Sequence, residues 1–424
     1  MNEQASPIEK TVLNNGLTII SERMNHVRSA SVGIWVRSGS RHESAPLNGI
    51  SHFIEHTLFK GTSKRTSREI AVESDAIGGH VDAFTSREVA SYYVKVLDQH
   101  LPRAFDLLAD LITSPNFADE ELDRERNVVL EEIKMVEDTP DDLVHEVFVA
   151  NFWPDHPLGR SILGTAETLS TFDHNAVVEF FNNVYTPRNL VVAGAGNLHH
   201  AAFVDMVSGY LNDLTDRPAK RTVSAPSSAA PRIILTKELE QAHLILGARC
   251  PSMTSEDRYS VHVLNVILGG GMSSRLFQTI REDHGLAYAV YSGVNAYTDA
   301  GYLSMYAATS PEQISEVIRL SVEEFGKFRD EAVSDAELQR AKDQLKVSIM
   351  LSLESTSARM SNLARQEIFF GRQFTLDEIL ERIDRVATQD VQRMAREIFS
   401  GKQLAVTAIG QLEGLDLNQV QLAC

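Results

Sequence analysis

The chain repeats one sequence plan at an interval of almost half its length. Residues 81–85 read VDAFT and residues 294–298 read VNAYT, a separation of 213 in a chain of 424 residues. Each stretch leads into an alternating run, ASYYVKV at 90–96 and GYLSMYA at 301–307. Because a period of two is typical of a β-strand, the repeat predicts two similar domains, each built around a sheet.

Helical patterns follow the predicted strands in both halves. Apolar residues at three- and four-residue spacing predict amphipathic helices at 101–113 and 311–328. Further helical segments are predicted at 172–184, 331–369 and 376–399. Strands followed by helices favour an α+β fold, here two similar α/β-layer domains with a duplicated β-sheet and helices packed on one sheet face.

A linker is predicted between the halves. Residues 217–232 read RPAKRTVSAPSSAAPR and are rich in Pro, Ala and Ser, a composition typical of connecting segments. The predicted domains are therefore 1–216 and 233–424, which suits a chain too long for one ordinary core.

Charge and composition exclude several classes of protein. The 58 acidic and 40 basic residues give a formal net charge of −18, which argues against nucleic acid as the main partner. Such a charge either keeps the protein soluble or attracts cationic substrates. No apolar run is long enough to span a membrane, and the N-terminus lacks a signal-peptide pattern, so the expected location is cytoplasmic. Two cysteines, Cys250 and Cys424, exclude a disulfide scaffold and a cysteine-rich zinc module.

One apolar segment carries three metal-chemistry residues within five positions. In GISHFIEHTLF, His52 and His56 are four residues apart and lie on one face of a helix, where both can bind a single ion. Glu55 lies beside the second histidine, where a carboxylate can act as base for a metal-activated water. The order H-x-x-E-H inverts the commoner H-E-x-x-H signature. The alternative is a core helix whose histidines only satisfy each other.

A third ligand has to come from elsewhere, because a catalytic zinc takes three protein ligands and keeps one open position. In the predicted helix at 120–138, Glu125 and Glu132 lie seven residues apart along one edge of an apolar stripe, whereas Glu131 points to the opposite side. A buried carboxylate is costly unless it binds a cation. Helical periodicity leaves Glu125 and Glu132 as equal candidates, and both can also be edge residues that reach water.

These motifs resemble those of the insulinase/pitrilysin family of zinc peptidases, and most closely the bacterial homologues of the catalytic subunit of mitochondrial processing peptidase. The resemblance covers nearly the whole chain, through VLNNGLTII, HFIEHTLFKGT, VDAFTSRE, ERNVVLEEIKMVEDTP, YTPRNLVVAGAGN and GGGMSSRLFQTIREDHGLAYAVYS. It implies a processing-peptidase/LuxS-like fold and a zinc metalloendopeptidase that hydrolyses peptides or unstructured polypeptide segments.

The resemblance also assigns roles at the metal site. His52 and His56 match the two histidine ligands of one Zn²⁺ per chain, and Glu55 matches the general base. The family's distal glutamate ligand lies 76 residues after the second histidine, which is Glu132 here. Glu125 then matches the family's supporting glutamate.

Substrate and assembly are implied by the resemblance in the same way. Asp82, Ala83 and Phe84 match a strand whose backbone pairs with peptide, and Asp82 replaces an Asn found in some members. Arg281 and Tyr288 match an Arg–Tyr pair that helps hold substrate near the metal; without the resemblance they read as a surface arginine and a core tyrosine. Larger relatives resemble two such chains fused, which implies a homodimer here, or a pair with a related non-catalytic subunit. The rival functions are a non-catalytic scaffold subunit and a zinc hydrolase with a non-peptide substrate.

Overall fold

Two compact units make up the described part of the chain. A computed structural model describes residues 8–217, 223–400 and 404–417. Unit 1 holds the described residues of Met1–Lys134, Arg160–Val223 and Leu351–Gln373, and unit 2 holds those of Met135–Gly159, Ser224–Met350 and Phe374–Cys424.

The sheet of unit 1 has six strands in the order β1-β2-β6-β3-β5-β4. Its strands are β1 (Ile8–Val12), β2 (Thr18–Arg23), β3 (Ser29–Val36), β4 (His80–Thr85), β5 (Ala90–Leu97) and β6 (Leu190–Gly196). Strands β2 and β6 are parallel and all other neighbours are antiparallel. The predicted substrate strand is β4, at one end of this order.

The sheet of unit 2 has five strands in the order β7-β11-β8-β10-β9. They are β7 (Arg232–Thr236), β8 (Ala242–Arg249), β9 (Ala287–Ala296), β10 (Gly301–Thr309) and β11 (Ala405–Gly410). Only β7 and β11 are parallel. Strand order and directions match those of β2-β6-β3-β5-β4 in unit 1. VDAFT ends β4 and the VNA of VNAYT ends β9, and these two edge strands are equivalent. The predicted pair of similar α+β domains is therefore confirmed.

The helices of the two units occupy most of the remaining described chain. They are α1 (Ile50–Leu58), α2 (Ser67–Ala76), α3 (Leu101–Thr113), α4 (Asp119–Asp138), α5 (Pro140–Phe152), α6 (Ala166–Leu169), α7 (His174–Val184), α8 (His200–Leu211), α9 (Arg258–Gly269), α10 (Ile314–Asp330), α11 (Asp335–Ser352), α12 (Thr356–Phe370), α13 (Leu376–Asp384) and α14 (Thr388–Ile398), with a π-helix at Phe277–Asp283. The predicted helix at 101–113 is α3, and the predicted segments at 331–369 and 376–399 each divide into two helices.

Both faces of the unit 1 sheet are covered by helices. The even-numbered residues of β3, such as Val32 and Ile34, pack into the larger core with α1, α3, α7 and α8. The odd-numbered residues face α12, where the Trp35 indole N–H lies 3.2 Å from the Met360 sulfur. Two buried faces explain why SVGIWV is almost continuously apolar.

The unit 2 sheet is covered in the same way by α5. Its residues Val144, Phe148 and Phe152 pack against Ile245 of β8 and other strand residues. A Cβ at Gly247 of β8 would lie 2.5 Å from the Phe148 ring, so a larger residue there would require the ring to move.

The compact units therefore differ from the predicted domains 1–216 and 233–424. Helix α5 lies in the first half of the sequence but packs on the sheet of unit 2, and α12 lies in the second half but packs on the sheet of unit 1. Most helices cover one face of each sheet as predicted, and the second face carries one helix from the other half of the sequence.

Two predicted features fall partly outside the described residues. Of the predicted linker at 217–232, residues 218–222 lie outside them, and 223–231 contain no helix or strand before β7 begins at Arg232. Cys424 also lies outside them, whereas Cys250 is a buried free thiol. No helix in the described ranges has the length and apolar character needed to cross a membrane.

Candidate active site

Helix α1 places the two predicted histidine ligands in the core of unit 1. Its apolar residues Phe53 and Leu58 are fully buried. His52 and His56 are one turn apart, with ring centroids separated by 4.6 Å. Burial and the neighbouring His56 lower the pKa of His52 to about 4. The His52 imidazole is therefore neutral near pH 7, which is the form that binds a metal.

The predicted third ligand, on α4, approaches both histidines. Glu132 Oε2 lies 3.7 Å from His52 Nε2 and 3.6 Å from His56 Nε2. Ligand atoms from the three residues all lie within 4.8 Å of one another. Glu131 points away, since its carboxylate bonds Lys134 at 2.7 Å and is 72% exposed. Two imidazole nitrogens and one carboxylate oxygen form the donor set that zinc prefers.

Glu125 lies behind the histidines rather than among them. Its carboxylate is buried, and Oε2 lies 3.3 Å from His56 Nδ1. The other oxygen, Oε1, accepts from Lys60 Nζ at 2.7 Å. A hydrogen bond at Nδ1 directs His56 Nε2 toward the position shared with Glu132. Lys60 was not predicted. It lies four residues after His56 in the sequence.

Glu55, the predicted base, is held by strand β4. The Thr85 hydroxyl donates to Glu55 Oε2 at 2.5 Å. Burial raises the pKa of Glu55, the Thr85 hydrogen bond and His56 lower it, and Glu132 and Asp82 raise it further. Thr85 was not predicted; its place as the last residue of VDAFT was the available signal.

The backbone of Ala83 faces the open edge of the unit 1 sheet. Ser86 N–H donates to the Val89 carbonyl across the hairpin between β4 and β5. Because bonded and non-bonded pairs alternate in an antiparallel ladder, Phe84 and Asp82 bond to β5 and Ala83 does not. The Ala83 N–H instead donates to Asp82 Oδ1 at 2.8 Å. An extended peptide can pair at this edge.

The side chains of His80, Asp82 and Phe84 on β4 make different contacts. Asp82 Oδ2 accepts from the Tyr93 hydroxyl at 2.9 Å and lies 3.4 Å from His80 Nε2. His80 is exposed and lies outside the cluster of His52, His56 and Glu132. The Phe84 ring packs edge-on to Trp35 at a centroid distance of 5.5 Å.

The predicted Arg–Tyr pair lies in unit 2. Arg281, in the π-helix, places its guanidinium carbon 4.8 Å from the ring centroid of Tyr288 on β9 and 4.7 Å from that of Phe277. Tyr288 is 80% exposed. Stacking under a cation fixes the ring while leaving its hydroxyl open to solvent.

Sequence profiles and curated relatives identify the family. A sequence profile of the insulinase family, peptidase family M16, matches residues 18–166, and that of the peptidase M16 inactive domain matches residues 171–345. The chain is 42% identical over 393 residues to the uncharacterized zinc protease YmxG of Bacillus subtilis, covering 93% of this chain and 96% of that one. An uncharacterized zinc protease of Streptomyces coelicolor is 40% identical over 417 residues, covering 96% and 90%.

Two solved structures share the fold. A protease from Helicobacter pylori superimposes with a TM-score of 0.87 at 22% identity, covering 95% of this chain and 99% of that one. A peptidase M16 inactive domain from Pseudomonas fluorescens gives a TM-score of 0.88 at 19% identity, covering 95% and 98%. With the profiles matching most of its length, the chain belongs to the insulinase family of zinc peptidases, peptidase family M16.

Proposed function

We propose that this chain is a zinc-dependent endopeptidase that hydrolyses peptides or unstructured polypeptide segments. The observation that carries this proposal is the convergence of His52, His56 and Glu132, with the Glu55 carboxylate on the same helix turn. The three converging residues would hold one Zn²⁺ per chain. When bound, this ion would act as a Lewis acid that lowers the pKa of a water molecule and polarises a carbonyl group.

Glu55 serves as the proton carrier in this proposal. Its carboxylate accepts a proton from the attacking water and returns it to the leaving amine. Burial raises the pKa of Glu55 above its ordinary value, which suits a group that must accept a proton and give it up again. The Thr85 hydrogen bond keeps one carboxylate oxygen in place while the other stays available.

The open edge of β4 supports a peptide as the substrate. The Ala83 N–H is directed to that edge, and among the described residues its one hydrogen bond is to the side chain of the preceding residue, Asp82. A peptide carbonyl can replace that bond when the Asp82 carboxylate turns to solvent or to Tyr93, which already donates to it. Main-chain pairing of this kind is tolerant of sequence and requires an extended, unfolded segment.

We further propose that the chain works as a homodimer in which Tyr288 of one copy serves the metal site of the other. The exposed Tyr288 ring, held by Arg281, supports this role, because a large aromatic side chain at 80% exposure is not needed for its own core. Tyr288 would donate its hydroxyl hydrogen to the oxygen that becomes negative during hydrolysis.

Replacing Glu55→Gln tests the proposed reaction. The variant should fold and bind zinc as the wild type does, because no ligand changes, yet it should lose at least about 100-fold in turnover, since general acid–base catalysis typically contributes 10²–10⁴-fold. The measurement is cleavage of a mixed peptide library followed by mass spectrometry, with metal content checked on the same samples.

The control is Glu131→Gln, a matched change on α4 at an exposed site. It should cleave the library as the wild type does. Wild-type cleavage by zinc-loaded Glu55→Gln, or wild-type cleavage that persists after complete removal of zinc, would contradict the proposal.

A further inference from the structure

The metal helix α1 begins at a residue that cannot cap it. Its N-cap is Gly49, at φ +96°, which has no side chain to accept a hydrogen bond. A Cβ at this position would lie 2.7 Å from the Gly164 Cα and from the Leu163 carbonyl oxygen. The usual Ser, Thr, Asp or Asn cap is therefore excluded by both conformation and space.

The N-terminus of α1 is also buried, so water does not satisfy its free N–H groups. Residues 48–54 are buried without interruption. The helix has nine residues, a length at which a helix depends on capping and packing for its order. Unbonded N–H groups at a buried helix end are strongly unfavourable, and a partner has to come from another part of the chain.

Glu43 is that partner. Its carboxylate, on a residue that is 3% exposed, accepts from the Gly49 N–H at 2.8 Å on Oε2 and from the Ser51 N–H at 2.8 Å on Oε1. The Asn48 amide donates to Oε2 at 3.3 Å. Burial raises the pKa of the Glu43 carboxyl, and the hydrogen bonds from Ser51, Gly49 and Asn48 lower it. The carboxyl group lies at the positive end of the helix dipole, which favours its negative form.

We propose that Glu43 is a positioning residue for the metal site: it fixes the first turn of α1 and thereby the direction of His52, the residue that follows Ser51. His52 Nδ1 is buried and makes no hydrogen bond within the described ranges, whereas His56 Nδ1 is held by Glu125. The orientation of His52 therefore depends on the backbone that carries it. This inference rests on the proposed zinc site and concerns a residue outside it.

Glu43→Gln tests the inference on metal-free protein titrated with zinc. The amide keeps one acceptor oxygen but turns an N–H₂ group toward a backbone N–H, so one of the two caps is lost. We expect the zinc dissociation constant, measured against a chromogenic chelator, to rise about tenfold, the lower end of the effect of outer-shell partners of metal ligands. The visible absorption bands of the Co²⁺-substituted protein should shift, because the ligand geometry changes.

Glu367→Gln is the matched control. Glu367 is also buried in unit 1, at 5% exposure, but it lies on α12 and pairs with Lys10 and Arg37. The Glu367→Gln substitution should lower the melting temperature of the metal-free protein and leave the zinc dissociation constant and the Co²⁺ spectrum unchanged. This control separates a general loss of stability from a loss of positioning.

A second variant, Glu43→Asp, carries the test if Glu43→Gln does not fold. The shorter carboxylate keeps the charge and reaches only one of the two N–H groups, so an intermediate dissociation constant is expected. A folded Glu43 variant with wild-type zinc affinity and a wild-type Co²⁺ spectrum would overturn the inference, as would an equal loss of affinity in Glu367→Gln. Wild-type protein that binds no zinc would instead refute the proposed function.

Discussion

Replacing Glu132→Gln should weaken zinc binding by at least about two orders of magnitude without unfolding the metal-free protein. Glu132 Oε2 lies 3.7 and 3.6 Å from the two histidine Nε2 atoms and belongs to the only group of potential metal ligands in the described chain. Four-ligand zinc sites bind with about 10–16 kcal/mol, or roughly 2.5–4 kcal/mol for each ligand. At 1.36 kcal/mol per tenfold, a lost ligand weakens binding by about 10²–10³.

The metal-free protein should respond differently to the same change. Glu132 raises the pKa of Glu55 by charge repulsion, and Gln removes that repulsion. The side chain of Glu132 is partly exposed, so no large buried gap forms. The free energy of unfolding of the metal-free variant should stay within about 0.5 kcal/mol of the wild type, the usual range for surface substitutions.

The assay combines zinc titration against a chromogenic chelator with denaturant unfolding of the metal-free protein. Glu131→Gln provides the comparison, since it makes the same chemical change one residue away on α4, at an exposed carboxylate bonded to Lys134. Its zinc affinity should remain within about twofold of wild type, as expected for a side chain outside the site. Equal losses in both variants, or none in Glu132→Gln, would refute the ligand assignment.

Three further predictions concern substrate, assembly and pH. With a net charge of −18, the protein should cleave basic peptides faster than acidic ones at low salt, and the difference should shrink as salt screens the charges; equal rates for both series at low ionic strength would exclude charge steering. Glu55→Gln and Tyr288→Phe homodimers should each be impaired, while random co-assembly should restore roughly a quarter of wild-type activity, because half of the dimers are hybrids with one intact site; mixed dimers without rescue would show that the site does not draw on both chains. The lowered pKa of His52, about 4 against 6.5 in the unfolded chain, means that only the unfolded state takes up this proton between those values. The free energy of unfolding of the metal-free protein should therefore fall as pH drops through that window, by up to about 1.4 kcal/mol per pH unit; a His52→Gln variant with an unchanged pH slope would contradict this.

The elements that local periodicity determines were predictable from the sequence. The helix expected at 101–113 is α3, because Leu101, Phe105, Leu108 and Ile112 repeat at helical spacing and all face the core. The four-residue spacing of His52 and His56 likewise predicts that both lie on one face of a helix, one turn apart. The repeat at 213 residues predicted the shared topology of the two sheets.

Contacts between distant segments were not predictable in the same way. Helical spacing placed Glu125 and Glu132 on one edge of α4 but left their roles open. Seven residues separate the two glutamates by about 10 Å along the helix axis. Glu125 therefore contacts His56 Nδ1, whereas Glu132 lies on the side of the ring that carries Nε2. The packing of α5 and α12 was likewise not predictable from local sequence. An apolar stripe shows that a helix is buried but does not show which sheet it packs against.

The partners of the polar atoms near α1 support the proposed cation site. Glu43 is bonded to the helix N-terminus, Glu125 to Lys60 and His56, and Glu55 to Thr85. In contrast, Glu132 Oε2 lies 3.7 Å from His52 Nε2 and 3.6 Å from His56 Nε2, distances that are too long for a hydrogen bond. A scaffold that needed only a filled core would be better served by apolar side chains at these positions. Donor atoms that converge without bonding each other, inside a frame where neighbouring carboxylates are bonded, are the arrangement that binding of a divalent cation requires.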